Sequence, residues 1–401
     1  MEKYLVINAG SSSLKFSLYE MPLEKLLING YFEKIGYDDS FWTIKINGNK
    51  IKKDGYLSNH NDAVKMMIEE LINNNIISSL DEIKGIGHRV LHGGELYSDS
   101  VLITDKVLDD IINLTNLGPL HHPGQIAGIK AMLEYMPNTK QVSVFDTAFH
   151  QTMPKENYIY AVPYEWYSEY KVRKYGFHGT SHKYITEYMK KYLGKDNVNL
   201  IICHVGSGAS ISCIENGKCV NTTMGLTPLD GLIMGTRSGN IDSSIIKFIM
   251  DETGKDIDEV TNDLNKKSGL LGICGKNDFR DLLLLKNEGN ELGELAYKMF
   301  LNSIVKFISE YYFLLNGEVD AIVFTAGVLE NNVGLRKDII NKISKPVGVY
   351  LNSEENSLIG ALGTKNSGMI STENSNCLVL VVPTDEEIMI ARDSYNIINK
   401  R

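Results

Sequence analysis

The apolar run at residues 4–9 predicts a strand, Gly10-Ser11-Ser12-Ser13 a turn, and the alternating pattern at 14–19 a second strand. Alternating apolar residues at 42–53 flank Asn47-Gly48, a pair that suits tight hairpin turns. Over 62–73, Val64, Met67, Ile68, Leu71 and Ile72 recur at three- and four-residue spacing, which gives a helix one apolar face. A strand at 86–91, helices at about 105–115 and 124–135, and a strand at 141–145 complete the first half.

The second half opens with a helical pattern at 180–193 and then repeats the start of the chain. Strand 200–204, the turn Val205-Gly206-Ser207-Gly208 and strand 209–214 lead to another hairpin signal at Asn216-Gly217. Laying LVINAGSSSLKFSLYE on IICHVGSGASISCIEN puts Asn8 on His204, Gly10 on Gly206 and Ser11 on Ser207, half a chain apart. Recurrence on that scale indicates a duplicated half rather than a short repeat. Backbone N–H groups in such turns can converge on an anion, so two of them facing each other would clamp a phosphate in a cleft between domains. The alternative is two plain hairpin turns.

Helices follow at 242–253, 256–266, 278–287 and 291–315. Then come a buried strand at 320–325 ending in Ala326-Gly327, a helix at 334–343, a strand at 378–382 and a last helix at 386–398. Strands alternating with helices place the chain in the α/β class.

Composition narrows the function. The 401 residues suffice for two or three domains, and 43 % hydrophobic with 23 % charged residues describes a folded globular chain. The net charge is −9, and basic clusters do not exceed pairs such as Lys52-Lys53 and Lys190-Lys191. A nucleic-acid partner is therefore not expected, and an anionic ligand would need a local arginine site. The five cysteines are odd in number and lack C-x-x-C spacing. Cys203 and Cys213, in apolar segments, read as buried thiols, which fits a reducing, cytoplasmic setting. MEKYLVINAG lacks an apolar signal core, and the apolar run at 377–382 is far short of the roughly 20 residues of a membrane span, so neither export nor a membrane is expected.

Two arginines stand out. Arg89 ends a strand-like run ahead of His92-Gly93-Gly94, and Arg237 lies in Met234-Gly235-Thr236-Arg237-Ser238-Gly239. A guanidinium among glycines suits a carboxylate or phosphate that approaches the backbone; an interdomain salt bridge is the alternative. Asp146 follows the apolar strand at 141–145, where open α/β sheets place ligand chemistry. Glu386 starts the last helix, as a first-turn acid or as a carboxylate for Mg²⁺. His178 and His182 are spaced i, i+4, but histidines beside glycines more often line a polar cleft than bind zinc. No P-loop, no protein-kinase motif set and no G-x-S-x-G elbow is present.

Six motifs, in order along the whole chain, resemble the acetokinase family of the actin-like superfamily, which also holds sugar kinases, chaperone ATPases and actin. They are Asn8-Ala9-Gly10-Ser11-Ser12-Ser13-Leu14-Lys15, His88-Arg89-Val90-Leu91-His92-Gly93-Gly94, Phe145-Asp146-Thr147-Ala148-Phe149-His150, Gly176-Phe177-His178-Gly179-Thr180-Ser181-His182, Met234-Gly235-Thr236-Arg237-Ser238-Gly239 and Pro383-Thr384-Asp385-Glu386-Glu387. The resemblance implies duplicated actin-like (ribonuclease H-like) domains with an interdomain active-site cleft. Residues 1–148 with 386–401 would form the acyl side and 149–385 the nucleotide side, in a chain that pairs as a homodimer. It implies reversible phosphoryl transfer from ATP to acetate, giving acetyl phosphate and ADP, with Mg²⁺ (or Mn²⁺) as cofactor.

By the same resemblance Arg89, Asp146, His178 and Arg237 are catalytic. Arg89, Leu91, Leu120, Phe177 and Pro228 hold the acyl substrate. Ser12, Lys15, His204, Gly206, Ser207, Gly208, Asp278, Phe279, Arg280, Gly327, Val328, Leu329, Glu330 and Asn331 hold the nucleotide. Asn8 and Glu386 hold the metal, and His121 lies in the cleft. Three positions depart from the family pattern: Ser207 replaces an asparagine, Leu329 a glycine, and His122 the asparagine of a His-Asn-Pro segment. A leucine at 329 would narrow the nucleotide pocket, so pyrophosphate or another donor is an alternative to ATP, as propionate is to acetate. A non-enzymatic, filament-forming relative is a further alternative, which the retained charged set disfavours.

Overall fold

The computed structural model describes residues 1–360 and 362–400. The first sheet comprises β1 (Glu2–Ala9), β2 (Ser13–Met21), β3 (Lys25–Glu33), β4 (Phe41–Ile46), β5 (Asn49–Asp54), β6 (Ile83–Val90), β7 (Val101–Leu102) and β8 (Lys140–Phe145), in the spatial order β5-β4-β3-β2-β1-β6-β8-β7. The second comprises β9 (Leu200–Val205), β10 (Ala209–Glu215), β11 (Lys218–Thr222), β12 (Ala321–Thr325), β13 (Gly368–Met369) and β14 (Leu378–Val381), in the order β11-β10-β9-β12-β14-β13. Each sheet belongs to its own compact unit: Met1–Gln151 with the chain from Asp385 onward, and Thr152–Thr384.

The two sheets share one topology. In the first, β3-β2-β1 are antiparallel and β1-β6-β8 parallel. In the second, β11-β10-β9 are antiparallel and β9-β12-β14 parallel. The repeat legible in the Gly-Ser turns is thus a repeat of whole sheets. Both Asn47-Gly48 and Asn216-Gly217 turn hairpins, β4 into β5 and β10 into β11.

Strand β3 had no counterpart in the periodicity. Its Asn29-Gly30 has the composition of a turn, yet it lies mid-strand. A Cβ at Gly30 would come within 2.6 Å of the Phe16 ring, so the glycine makes room for a cross-strand aromatic. The segment between the strand expected at 320–325 and the helix expected at 334–343 holds a further short helix, Gly327–Asn331.

In the first unit Leu5 and Ile7 of β1 join Val64, Met67 and Leu71 of helix His60–Asn73 and Met132 of helix His122–Tyr135 in one core. Ile72, expected on the same face, is exposed. Tyr4 instead meets Tyr395 of the last helix, Glu386–Asn399, ring centroids 5.4 Å apart. Parallel strands feed both faces of the sheet in this way, and their carboxyl ends stay open for side chains that act on ligands. No helix among the described residues is long and apolar enough to cross a membrane.

Under β6, His88 is buried, and its Nε2 bonds Gln141 Oε1 at 2.7 Å. Burial pushes this imidazole down to about 4, against the weaker pull of Gln141. Its unfolded value is about 6.5, so between those limits the unfolded chain binds a proton that the folded chain refuses. Stability should therefore fall as pH drops through that window, by about 2–3 kcal/mol at pH 4.5 from this group. Denaturant midpoints at pH 7 and pH 4.5 check it. His88→Gln should lose less over that interval than the wild type, and equal losses would place the titration elsewhere.

Candidate active site

Three adjacent strand ends build the first group. Asn8 lies near the carboxyl end of β1, Arg89 near that of β6, and Asp146 directly after β8. Arg89 Nε donates to both carboxylate oxygens of Asp146, at 3.2 and 3.1 Å, and Nη2 to Oδ2 at 2.5 Å. Its Nη1 reaches Asn8 Oδ1 at 3.4 Å. Asp146 is fully buried, and its own backbone N–H donates to Val90 O at 2.9 Å. Burial alone would weaken the Arg89 charge, but Asp146 and Glu386 outweigh it and raise the guanidinium above its ordinary pKa.

Glu386 enters from the first turn of the last helix. Burial pushes its carboxyl up to about 7, and Asp146 and Glu387 add to this against Arg89 and Lys15. Lys15 stands opposite Asn8 in the β1–β2 register, so both point to the same face of the sheet. Asp146 and Asn8 thus present oxygen atoms to Arg89, and the Glu386 carboxylate lies near enough to feel the charges of Arg89 and Asp146. No three His, Cys, Asp or Glu side chains gather elsewhere or here as a metal cage among the described residues. A hard divalent cation such as Mg²⁺ needs only one or two carboxylates beside substrate oxygens, so the donor set fits.

The second group is built in the other unit. His178 adopts φ 56°, in the left-handed region, immediately before helix Gly179–Leu193. That sparsely populated conformation presents its ring rather than continuing the helix. The ring stacks on His204, centroids 4.2 Å apart, and its Nδ1 lies 2.9 Å from Ser210 Oγ. Arg237 Nη1 donates to Pro228 O at 3.1 Å and meets Met234 Sδ at 3.5 Å. Among the described residues of its own unit, no carboxylate is a partner of Arg237. Burial accordingly pulls this guanidinium below its ordinary pKa. A Cβ placed on Gly208 would lie 3.4 Å from His178 Nε2 and 3.6 Å from Arg237 Nη1, so two cationic or donor atoms converge where the glycine leaves space.

Beside that turn opens a cavity of about 470 Å³, within the range of small-molecule sites. Of the residues expected at the nucleotide, Gly206, Ser207, Asp278, Phe279, Arg280, Gly327, Val328 and Asn331 line it. Others do not. Leu329 is fully buried on the inner side of helix Gly327–Asn331, so it packs into the core and does not narrow the cavity. The reading of a closed adenosine pocket loses that support. Glu330 turns back to accept from Ala326 N at 2.6 Å and Thr384 N at 3.3 Å, a brace for the strand end rather than a cavity wall. His204 bonds Ser181 Oγ through Nδ1 at 2.8 Å and is nearly buried. Gly208 borders the two donor atoms instead of the cavity. Ser12 and Lys15 belong to the first unit.

Of the expected acyl-pocket residues, Leu91 and Phe177 are buried and Pro228 is half-buried. Leu120 is 63 % exposed. His121 precedes helix His122–Tyr135 without capping it through its side chain. The sequence reading also missed cavity residues. Gly235 lies inside the quoted Arg237 motif without having been singled out, whereas Asn277 precedes Asp278 and Asn332 follows Asn331, so one more residue at each of those two would have found them. Phe300, from mid-helix in Glu291–Leu314, had no local signal.

A sheet duplicated with its topology intact, with Arg89 and Asp146 at strand ends and a cavity beside a Gly-Ser turn, fits an actin-like phosphotransferase. The acetokinase family model matches residues 3–392. The chain is 51 % identical over 402 residues to acetate kinase from Geobacillus sp. (strain WCH70), covering all of both. The acetate kinase of Porphyromonas gingivalis superposes with a TM-score of 0.94 at 39 % identity over the whole of both chains. A propionate kinase from Francisella tularensis superposes at 0.92 with 42 % identity, over 99 % of this chain and all of that one. The chain belongs to the acetokinase family. It is a phosphotransferase with a carboxyl group as acceptor, and its activity is that of an acetate kinase, acting with ATP and a divalent metal.

Proposed function

We propose that Arg237 and His178 stabilise the phosphoryl group as it passes between ATP and acetate, that Arg89 and Asp146 order the charge around the attacking carboxylate, and that Mg²⁺ is the metal. The observation that carries this reading is the Arg237 guanidinium, desolvated without a carboxylate partner among the described residues of its unit and converging with His178 Nε2 on Gly208 beside the cavity. A carboxylate, with a pKa near 4–5, is already a nucleophile at neutral pH and needs no base. The obstacle is bringing two anions together and stabilising a planar, charged phosphoryl group in line. A carboxylate oxygen attacks the γ-phosphorus, the bond to the bridging oxygen breaks, and ADP leaves with the electron pair. Asn8, Asp146 and Glu386 would hold Mg²⁺, which when bound offsets charge on phosphate oxygens.

Leu91, Phe177 and Pro228 would meet the acyl methyl. The first unit would serve the acyl side and the second, which contains the cavity, the nucleotide side. We further propose a cytoplasmic homodimer. All five cysteines are free, as a reducing compartment favours. Helix Ser244–Thr253 buries none of its residues and exposes Ile245 and Phe248, an apolar face that a second copy would cover.

Propionate is the second reading, motivated by the likeness to a propionate kinase, since one methylene discriminates by only about 1–3 kcal/mol. The test is acyl-phosphate formation with ATP, Mg²⁺ and either acid, trapped as hydroxamate, on protein whose mass in solution is measured alongside. The reverse reaction is run with ADP or with orthophosphate. Faster turnover of acetate, with ADP as acceptor and a two-chain mass, is expected. Turnover with orthophosphate alone would overturn the ATP reading.

A further inference from the structure

The i, i+4 histidine pair has no place in the mechanism as drawn so far, since only His178 reaches Gly208. Ser210 joins the two. It is fully buried on β10, opposite His204 in the β9–β10 register. Its Oγ lies 2.9 Å from His178 Nδ1 and 2.8 Å from His182 Nε2. One turn of helix Gly179–Leu193 separates the two rings, so both reach the same hydroxyl.

A hydroxyl carries a single proton and can donate to only one of two ring nitrogens. If it donates to His182, His178 must supply a proton at Nδ1, and the neutral ring then offers a bare lone pair at Nε2. That lone pair would repel an anion at Gly208. If it donates to His178, Nδ1 is the acceptor, Nε2 carries the proton and points a donor at the anion. His182 then supplies its Nε2 proton to Ser210. The 4.2 Å stack of His178 on His204 favours neutral rings, because two stacked imidazoliums would repel. His204 is in turn held through Ser181, whose Oγ also bonds Thr384 Oγ1 at 2.7 Å.

We propose that Ser210 is a positioning residue that, with His182 behind it, holds His178 in the tautomer with the proton on Nε2. The inference rests on His178 facing the transferred group, and the test separates the two. Long-range ¹H–¹⁵N correlation spectra of histidine-labelled protein near neutral pH, assigned with His178→Ala and His182→Ala, report each tautomer directly. We expect His178 protonated on Nε2 and His182 on Nε2; a proton on His178 Nδ1 would overturn the proposal whatever the activity. In kinetics, Ser210→Ala should lower kcat about 10–100-fold, the usual scale for a group that orients a functional histidine, with KM for ATP nearly unchanged. Ser210→Thr, which keeps the hydroxyl, should recover most of it. Equal rates in Ser210→Ala and wild type, with His178→Ala strongly impaired, would also overturn it. If His178→Ala itself retained full rate while the tautomer stood as expected, the catalytic reading of His178 would fail and the orienting role of Ser210 would remain.

Discussion

Arg237→Ala should lower kcat by about 10³–10⁵-fold, the scale on which an arginine supplied to a phosphoryl-transfer site acts. Binding of ATP should change far less. The reason is the environment of this guanidinium. Its hydrogen-bond partners are the Pro228 carbonyl and the Met234 sulfur, and among the described residues of its unit no carboxylate offsets its burial. On the proposed role its stabilisation would be largest when charge on the phosphoryl oxygens is greatest. Arg237→Lys should recover little, since an ammonium cannot present two parallel donors. Initial-rate kinetics with a separate measurement of ATP affinity decide the matter. Equal losses in kcat and affinity would mean that Arg237 serves binding instead.

Arg336→Met should cost the second unit at least about 3 kcal/mol, a fall in Tm of roughly 6 °C or more for a unit of this size. Arg336 is fully buried, and its fork is satisfied by oxygens alone. Nε donates to Asn356 Oδ1, Nη1 to the carbonyls of Leu329 and Glu330, and Nη2 to those of Asn356 and Ile359, all within 2.9 Å. Burial lowers its pKa to about 10, which still leaves it charged at neutral pH. Methionine fills the volume but strands those carbonyls without donors. Two of them close the helix Gly327–Asn331, whose Gly327, Val328 and Asn331 line the cavity, so ATP should also bind more weakly. Lysine cannot span five acceptors and should rescue neither property. A Tm within about 2 °C of wild type would show that water replaces the guanidinium at little cost.

Much of the first group was legible because its members stand where elements marked by periodicity end or begin. Arg89 and Asp146 follow apolar runs, and Glu386 opens a helix after Pro383. Their bidentate contact was not legible, since 57 residues separate the two. The second group was read in part. Arg237 stood out among glycines, whereas Ser210 looked like one more small residue in a strand. Arg336, in Arg336-Lys337-Asp338, has the composition of a solvated helix face.

The chain's own residues determine the order of strands and helices, the duplication and the family, because hydrophobic period, Gly-Ser turns and contiguous motifs are local properties that survive in one dimension. Only the tertiary structure decides that Leu329 faces the core and Val328 the cavity, that Arg336 meets Asn356, and that Ser210 bridges two histidines. Those outcomes depend on which surfaces of distant elements are brought together, and a side chain's partner is set by that packing and not by its neighbours along the chain.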